Sequence, residues 1–279
     1  MADIIRTLDA AEVELALTWG AREGWNTGLH DAAAFRAQDT GAFLGLFRDG
    51  ALAACISVTT YGEDFGFLGF YICRPDLRGQ GLGWRLWQAG MERLGTRTVG
   101  LDGVVAQQEN YKKSGFALAH RNIRYGGVAQ VPAPAAHLAP VASDLVPALI
   151  AYDADVFGVP RPDFLAHWLA PPDGLALAVR GPDGTPAGYG VIRRARVGWK
   201  IGPLFADTPE VARSLFAGLV AHAGGADVFL DVPAPNAVAV QMAEAAGLSP
   251  VFETARMYKG DAPALPLARI YGITTFELG

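Results

Sequence analysis

Residues 70–87 read FYICRPDLRGQGLGWRLW and contain the sharpest pattern in the chain. An apolar run ends at Arg74-Pro75, and a basic, glycine-rich turn then leads into a helix predicted from Gly81 to Leu94. Glycine allows backbone angles closed to other residues and lets a ligand approach the main chain. Amides at a helix start lack intrahelical acceptors and lie at the positive end of the macrodipole. The turn is therefore predicted to bind an anion such as a pyrophosphate, with Arg74 and Arg78 adding charge-assisted contacts.

The glycines alone leave an alternative open, a strand–turn–helix junction in which they only permit tight packing. The stretch is not the dinucleotide-binding fingerprint, because the third glycine of that pattern is missing after Gly83. It is not a P-loop either, because the Lys-Ser/Thr ending is absent.

The elements around this stretch predict an α/β (α+β) fold. Strands are predicted at residues 4–8, 43–47, 52–61, 65–73, 99–101 and 116–125, and helices at 10–23, 31–38, 81–94 and 107–113. Tight turns join the strands between 43 and 73 into an antiparallel meander. We expect a central mixed, mostly antiparallel sheet flanked by helices on both faces.

Length and composition bound the class of protein. A chain of 279 residues suits two domains of roughly 130–140 residues, and with 51% hydrophobic and 18% charged residues each half can bury a core. The net charge of -5 argues against a nucleic-acid partner. The N-terminus lacks the apolar core of a signal peptide, and no apolar run approaches the ~20 residues of a membrane span. We expect a soluble, cytoplasmic protein with no membrane partner, as a monomer or homodimer.

The cysteines and histidines predict no metal and no disulfide. Cys55 and Cys73 lie in apolar, strand-like runs, which favours buried structural thiols over a disulfide or a nucleophile. The five histidines are scattered, and no Cys/His pattern at metal-ligand spacing is present.

The chain also shows an internal likeness between its halves. Residues 126–140 contain three prolines among small residues, which is typical of an interdomain connection. The predicted boundaries are 1–127, a linker at 128–140, and 141–279. Three landmarks recur at offsets of 134, 129 and 132 residues: Asp49-Gly50 with Asp183-Gly184, Leu101-Asp102 with Leu230-Asp231, and Gly115 with Gly247. They indicate a duplicated unit, with chance likeness between two α/β domains as the alternative.

Two motifs carry a resemblance to a known family. Arg78-x-x-Gly81-x-Gly83, after a strand and opening a helix, resembles the acyl-CoA pyrophosphate loop of the GNAT N-acetyltransferase superfamily. Residues 110–116, NYKKSGF, resemble the Tyr-x-Lys-x-Gly-Phe ending of that superfamily's following helix. The likeness in the arrangement of helices and strands covers nearly all of residues 1–126. The sharp motifs cover about 25 residues.

The whole chain resembles bacterial tandem GNAT proteins with an active first domain and a degenerate second one, in particular the YitH-like group. The stretches that carry this narrower likeness are residues 101–103 running to Gly115-Phe116, AHRN at 119–122 and GPL at 202–204.

The resemblance implies acetyl-CoA as a co-substrate, with no metal. It implies that pantetheine lies along the backbone of Tyr71, Ile72 and Cys73, and that the pyrophosphate is held by Arg78, Gly79, Gln80, Gly81, Leu82, Gly83 and Trp84. Tyr111 is implied as the general acid for the leaving thiolate. The alternative for Tyr111 is an aromatic core residue at a helix end.

The general base is less well marked. Glu63, at the turn entering the central strand, and Asp102, past the next strand, are candidates, each with a solvated turn carboxylate as its alternative. The superfamily's frequent asparagine about seven residues before the tyrosine is Val104 here, which departs from the pattern.

The acceptor pocket is predicted from three residues. Trp25 and Asn26 lie in the region that forms the acceptor wall in the superfamily, although Trp25 could instead pack beneath its loop. Asp231 lies at a strand end of the second half, where it could reach a cleft between the halves. The alternative is a second half that only stabilises the first.

The second half lacks the glycine-rich loop. At the corresponding place Thr208-Pro209 form a good helix start, and Glu210 would repel a pyrophosphate, so this half is predicted to bind no CoA.

These features predict an acetyl-CoA-dependent N-acetyltransferase, in which a small-molecule primary amine attacks the acetyl thioester directly. The alternatives are a protein or peptide N-acetyltransferase and a non-catalytic acyl-CoA-binding sensor.

Overall fold

The structure, a computed structural model, describes residues 3–134 and 138–279. Part of the predicted linker, residues 135–137, lies outside the described residues. In the first half the elements are β1 Ile4–Thr7, α1 Ala10–Arg22, α2 Asp31–Gln38, β2 Phe43–Arg48, β3 Ala51–Tyr61, β4 Phe65–Cys73, α3 Leu82–Leu94, β5 Thr98–Val104, α4 Gln108–Lys113 and β6 Ala117–Gly127. They follow the bounds predicted from sequence to within a few residues.

The second half repeats this order. Its elements are β7 Ala139–Pro140, α5 Val146–Phe157, α6 Pro162–Trp168, β8 Gly174–Arg180, β9 Pro186–Arg194, β10 Trp199–Ala206, α7 Pro209–His222, β11 Val228–Pro233, α8 Ala237–Ala245, β12 Ser249–Lys259 and β13 Ile270–Gly272. No helix within residues 3–134 and 138–279 combines the length and apolar character that a membrane crossing requires.

Within the described residues the strands form one sheet of thirteen strands. Its order is β1-β2-β3-β4-β5-β12-β6-β11-β10-β9-β8-β7, and β13 pairs with β10. The pairs β4–β5 and β10–β11 are parallel, and the remaining pairs are antiparallel. The mixed, mostly antiparallel sheet predicted from sequence is therefore confirmed.

The two halves exchange strands at the centre of this sheet. β12, from the second half, lies between β5 and β6 of the first and pairs with both, so Met257 faces Leu101 on one side and Leu118 on the other. β6 in turn lies between β12 and β11, with Arg124 opposite Asp231. Backbone ladders thus cross the predicted boundary between the halves, and no local pattern in the sequence indicates this exchange.

β4 and β5 separate partway along their length. They pair from Phe65–Thr98 to Leu68–Leu101, while β4 continues to Cys73 and β5 to Val104. A register shift between β3 and β4 lies beside Phe70, whose φ of 46° is uncommon for a residue other than glycine. A bulge of this kind bends a strand away from its neighbour. The separation opens a cleft between the strands.

Helix α3 fixes one side of this cleft. Its apolar face buries Leu82, Leu86, Trp87 and Leu94 in the core of the first half. The predicted thiols are both free, with Cys55 buried and Cys73 half-buried beside the cleft.

Candidate active site

A cavity of about 410 Å³ occupies the space where β4 and β5 separate. The first half lines it with residues 68–73 of β4, residues 101–104 of β5, and Tyr111 of α4. The second half contributes two residues of β12 and two from the end of the chain, Phe252, Thr254, Phe276 and Glu277. The cavity is therefore built by both halves.

The glycine-rich turn presents free main-chain donors beside this cavity. Gly79 and Gly81 have φ of 79° and 77°, and a Cβ at either position would meet no atom within 4 Å. Gly81 caps α3 without a side-chain hydrogen bond. Among the described residues, the amides from Gly79 to Trp84 have no acceptor. This is the donor arrangement that a helix start offers to a phosphate.

The side chains in this turn have separate roles. Leu82 is buried in the core, Gln80 accepts a hydrogen bond from Arg48 at 2.6 Å, and Trp84 is 55% exposed. Leu82 can therefore serve an anion only through its main-chain amide, whereas Gln80 keeps its side-chain Nε2 as a further donor. At Gly83 a Cβ would lie 2.8 Å from the Tyr71 hydroxyl oxygen, so the glycine lets α3 pack closely on β4.

Arg78 lies at the cavity wall. Its Nε donates to the carbonyl of Cys73 at 3.0 Å, and its terminal nitrogen donates to Glu23 at 2.6 Å. An anion bound here competes with the half-exposed Glu23 for the guanidinium. Arg74 pairs with Asp76 instead and does not line the cavity.

Tyr111 both lines the cavity and packs within an aromatic cluster. Its ring stacks on Trp87 at 5.7 Å and meets the edge of Phe116 at 6.4 Å. A Cβ at Gly103 would overlap this ring, so the glycine makes room for it. Burial raises the pKa of Tyr111 to about 12. The phenol therefore keeps its proton at neutral pH.

Asp102 also lines the cavity, but its carboxylate is already engaged. It is buried, accepts two hydrogen bonds from Arg256 at 2.9 and 2.6 Å, and accepts a third from Asn122 at 2.8 Å. Burial raises the pKa of Asp102 against the opposing pull of Arg256 and Asn122. Its geometry is that of a structural ion pair joining β5 to β12.

Glu63 is not brought to the cavity. It is exposed in the turn between β3 and β4, at the end of β4 where that strand still pairs with β5. The cavity wall begins at Leu68, and the three residue steps of strand from Phe65 to Leu68 span roughly 10 Å. This corrects the prediction from sequence, which placed Glu63 by its proximity in the chain to the central strand.

The predicted acceptor residues separate into two groups. Trp25 lines the cavity, and its ring lies 5.9 Å from that of Phe70. Asn26 does not line it, because its side-chain amide donates to the carbonyl of Val197 at 3.0 Å and its oxygen accepts from that residue's amide at 2.9 Å. Asn26 thus ties the first half to the second.

Asp231 is likewise corrected. Its carboxylate is buried and accepts two hydrogen bonds from Arg124 at 2.6 and 2.8 Å, with the Nζ of Lys200 at 3.8 Å. The strand exchange places β6 beside β11 and so brings Arg124 opposite Asp231. The residue neutralises buried cations between the halves and does not line the cavity.

Lys200 leads to a prediction about pH. Burial, followed by the nearby Arg124, lowers the pKa of Lys200 from 10.5 to about 8. Between those values the unfolded chain binds more protons than the folded one, so the free energy of unfolding rises with pH. Below pH 8 Lys200 is charged in both states, and the cost of burying its charge then lowers the free energy of unfolding by its full amount. In wild type this effect should appear as a rise in melting temperature between about pH 7.5 and about pH 9.5. We expect Lys200→Met, which has no titrating group at this position, to lack that rise. An equal change in both proteins would contradict the assignment.

The helix of the second half that corresponds to α3 begins differently. Thr208 caps α7, and its hydroxyl accepts from the amide of Val211 at 3.4 Å. Pro209 removes another donor from the first turn, and Glu210 adds an exposed negative charge. This helix start has fewer free amides than α3 and a charge that repels anions.

The four residues that the second half adds to the cavity wall were not identified from sequence, namely Phe252, Thr254, Phe276 and Glu277. They lie more than 130 residues along the chain from Tyr111 and reach it through β12 and the C-terminal segment. No short-range pattern marks them. Among the described residues, no His, Cys, Asp and Glu side chains are grouped as a metal ion would require.

Comparison with known families identifies this fold as that of an acyltransferase with two related domains. Residues 9–116 match the model of the acetyltransferase (GNAT) family, and residues 149–272 match that of an acetyltransferase (GNAT) domain. The chain belongs to the GNAT superfamily, as a tandem-domain member. Enzymes of this family generally use acyl-CoA donors and act on amine acceptors.

Comparison with individual proteins agrees with this assignment. The chain is 32% identical over 272 residues to the holothin acyltransferase of Pseudoalteromonas sp. (strain SANK 73390), covering 96% of this chain and 92% of the relative. Its fold matches a putative acetyltransferase from Pyrococcus horikoshii with a TM-score of 0.82 at 19% identity, over 99% and 96% of the two chains. It also matches a tandem GNAT protein from the clavulanic acid biosynthesis pathway with a TM-score of 0.64 at 12% identity, over 94% and 100%.

Proposed function

We propose that the protein is an acetyl-CoA-dependent N-acetyltransferase in which a small-molecule primary amine attacks the acetyl thioester directly. The observation that carries this proposal is the cavity between β4 and β5, which has Tyr111 and Arg78 in its wall and the free amides of the glycine-rich turn directly after Arg78. These are the two groups that the reaction needs, an anchor for the donor and an acid for its leaving group.

The residues present fit coenzyme A. The amides of Gly79 to Trp84 and the guanidinium of Arg78 supply donors for a diphosphate, and the space beyond Gly79 and Gly81 is open. The length of β4 from Tyr71 to Cys73, which lines the cavity and no longer pairs with β5, offers main-chain groups for a pantetheine arm. When bound, acetyl-CoA supplies the acyl group in activated form, as a thioester.

The residues of the cavity then act mainly by positioning. Tyr111, protonated at neutral pH, donates a proton to the departing sulfur. Free amides of β4 beyond Leu68 can stabilise negative charge on the carbonyl oxygen. Holding an amine against the thioester in this enclosure supplies much of the remaining rate enhancement.

The walls of the cavity support a small, apolar amine as acceptor. Trp25, Phe252 and Phe276 present aromatic rings, and Phe252 and Phe276 come from the second half. A cavity of about 410 Å³ closed on that side by another domain favours a small molecule over a folded protein.

Calorimetric titration with coenzyme A and acetyl-CoA tests donor binding, and thiol release across a panel of amines tests transfer. The panel includes 2-phenylethylamine, a polyamine, an amino sugar and a short peptide with a free N-terminus. We expect binding of both donors and the fastest thiol release with the aromatic amine. No heat of binding would remove the proposal, and binding without thiol release for any amine would favour the acyl-CoA sensor.

Substitution of Gly81 tests the anion turn. Gly81→Ala places a side chain at a φ of 77° inside the proposed diphosphate site. We expect coenzyme A to bind roughly 10–100-fold more weakly, with a loss of about 1 kcal/mol in the free energy of unfolding. The matched control is Gly184→Ala, at a φ of 83° in the β8–β9 turn, where the stability falls similarly and coenzyme A affinity does not change. Equal affinities in the two variants would contradict the placement of the diphosphate.

A further inference from the structure

Glu277 has a buried carboxylate in the wall of the cavity. The residue is 2% exposed and lines the space between β4 and β5. Neither of its carboxylate oxygens has a hydrogen-bond partner among the described residues. An unpartnered buried carboxylate is costly to a fold, so a group that normally bonds to it is the natural explanation.

The C-terminal segment holds Glu277 at the point where the strands separate. The amides of Glu277 and Leu278 donate to the hydroxyl of Thr275 at 3.2 and 2.9 Å, and the hydroxyl of Tyr61 donates to the carbonyl of Leu278 at 2.7 Å. A Cβ at Gly69 would overlap the carbonyl of Glu277, and Gly69 directly follows the last residue of β4 that pairs with β5. The backbone of Glu277 is therefore fixed against the cleft.

The other carboxylates of the cavity are already paired. Asp102 is held by Arg256 and Asn122, and Glu23 accepts from Arg78. The hydroxyl of Thr254, also in the cavity wall, is buried and unpartnered within the described residues. Within the described residues, the buried side chains of the cavity wall that lack a hydrogen-bond partner, Thr254 and Glu277, thus both come from the second half.

Two buried cations offset the charge of Glu277. Burial lowers the pKa of Lys200, and the negative charge of Glu277 opposes that change. The pKa of Arg124 is raised despite its burial, mainly by Asp231 and with a contribution from Glu277. Arg124 in turn lies over the Phe276 ring at 4.7 Å. The charge of the carboxylate is therefore partly offset by two buried cations that do not line the cavity.

We infer that Glu277 receives the acceptor amine and acts as its general base, an assignment that rests on the proposed function. An acceptor in its ammonium form pairs with Glu277 and releases one proton to solvent, which leaves the neutral amine bound through N–H···O. As the nitrogen–carbon bond forms, Glu277 takes a second proton from the nitrogen. Tyr111 gives its phenolic proton to the sulfur as the carbon–sulfur bond breaks. Proton transfer through water from Glu277 to Tyr111 restores both residues.

Binding of a matched pair of probes tests this role without turnover. The protein is saturated with coenzyme A and titrated with 2-phenylethylamine or with 2-phenylethanol, which has the same ring and no charge. We expect wild type to bind the amine about tenfold more tightly than the alcohol, and Glu277→Gln to lose this preference. The control is Glu253→Gln, which removes a carboxylate paired with Arg121 outside the cavity wall and should keep the preference.

Turnover gives a second measure. We expect Glu277→Gln to lower kcat with the best amine of the panel about 100-fold, with unchanged affinity for coenzyme A, and formate to restore part of the activity of Glu277→Ala. If Glu277→Gln does not fold, Glu277→Asp decides, because it should keep the amine preference and lose at least tenfold in kcat.

Several results would overturn the assignment. They are no preference for the amine in wild type, a preference retained in Glu277→Gln, or full kcat in Glu277→Gln or Glu277→Asp. In each case wild type still binds coenzyme A and still releases thiol with at least one amine, whereas a failure of the proposed function would show as no binding of coenzyme A or as no thiol release with any amine.

Discussion

A chain that ends at Gly127 is expected to be unfolded and inactive, although it contains the whole glycine-rich turn and Tyr111. In the intact protein β12 separates β5 from β6 and pairs with both. Ala255 and Met257 of β12 are fully buried in the core of the first half. Loss of a buried Met side chain alone costs about 2–5 kcal/mol, and a domain of this size has only about 5–15 kcal/mol of stability. Two exposed strand edges would also favour aggregation.

Circular dichroism and thermal scans of residues 1–127 measure this outcome. The matched control keeps every strand but breaks the chain: a protease site inserted after Pro134 is cleaved in the folded protein. We expect the two pieces to stay associated and to bind coenzyme A, because the ladders between β5, β12, β6 and β11 are not covalent. Cooperative unfolding of the isolated 1–127 piece would show that the first half folds alone.

Tyr111→Phe is expected to lower kcat by about 100-fold or more while leaving coenzyme A affinity within about twofold. The substitution removes the proton donor but retains the ring that stacks on Trp87. Because the pKa of Tyr111 is about 12, the phenol remains protonated through pH 9 and the loss should be equally large at pH 7 and pH 9.

Steady-state kinetics and calorimetry on the same preparations check this expectation. Tyr125→Phe serves as the control, since Tyr125 lies on β6 outside the cavity wall and its hydroxyl donates to Glu244 of α8 at 3.4 Å. If Tyr111→Phe turned over at the wild-type rate, Tyr111 would have only a packing role, and water would supply the proton to the thiolate.

The parts of the fold that could be predicted are those encoded by neighbouring residues. The bounds of α2 and β4 agree with the sequence pattern, and α3 begins one residue after the predicted glycine. Turn glycines, caps and apolar periodicity act over a few residues, so one sequence is enough to detect them. The glycine-rich turn at the start of α3 was predictable for the same reason, and its binding of an anion stays a prediction.

The remaining features depend on contacts between distant segments. As an Asp at a strand end, Asp231 had the features of a binding-site residue. Its role is instead set by its ion pair with Arg124, 107 positions away in the chain, which forms because β6 lies beside β11. Glu63 was close to the central strand in sequence yet lies at its far end. Phe276 and Glu277 reach the cavity because the C-terminal segment packs against the first half. No periodic pattern in the sequence predicts that contact. Tertiary pairing, and not local preference, decides these positions.

The order β5-β12-β6-β11 has an approximate twofold symmetry, since each half lends its last long strand to the other. Two separate copies of a single half would close their sheets in the same manner, as a strand-swapped dimer. When two such copies are joined in one chain, their sequences no longer have to be identical. One copy can then retain an uncapped helix start, which we propose binds phosphate, while its twin, with α7 capped by Thr208, varies the residues that it adds to the cavity wall. On the proposed function, changes of acceptor range would accumulate in residues 141–279 without changing the residues proposed to bind the donor.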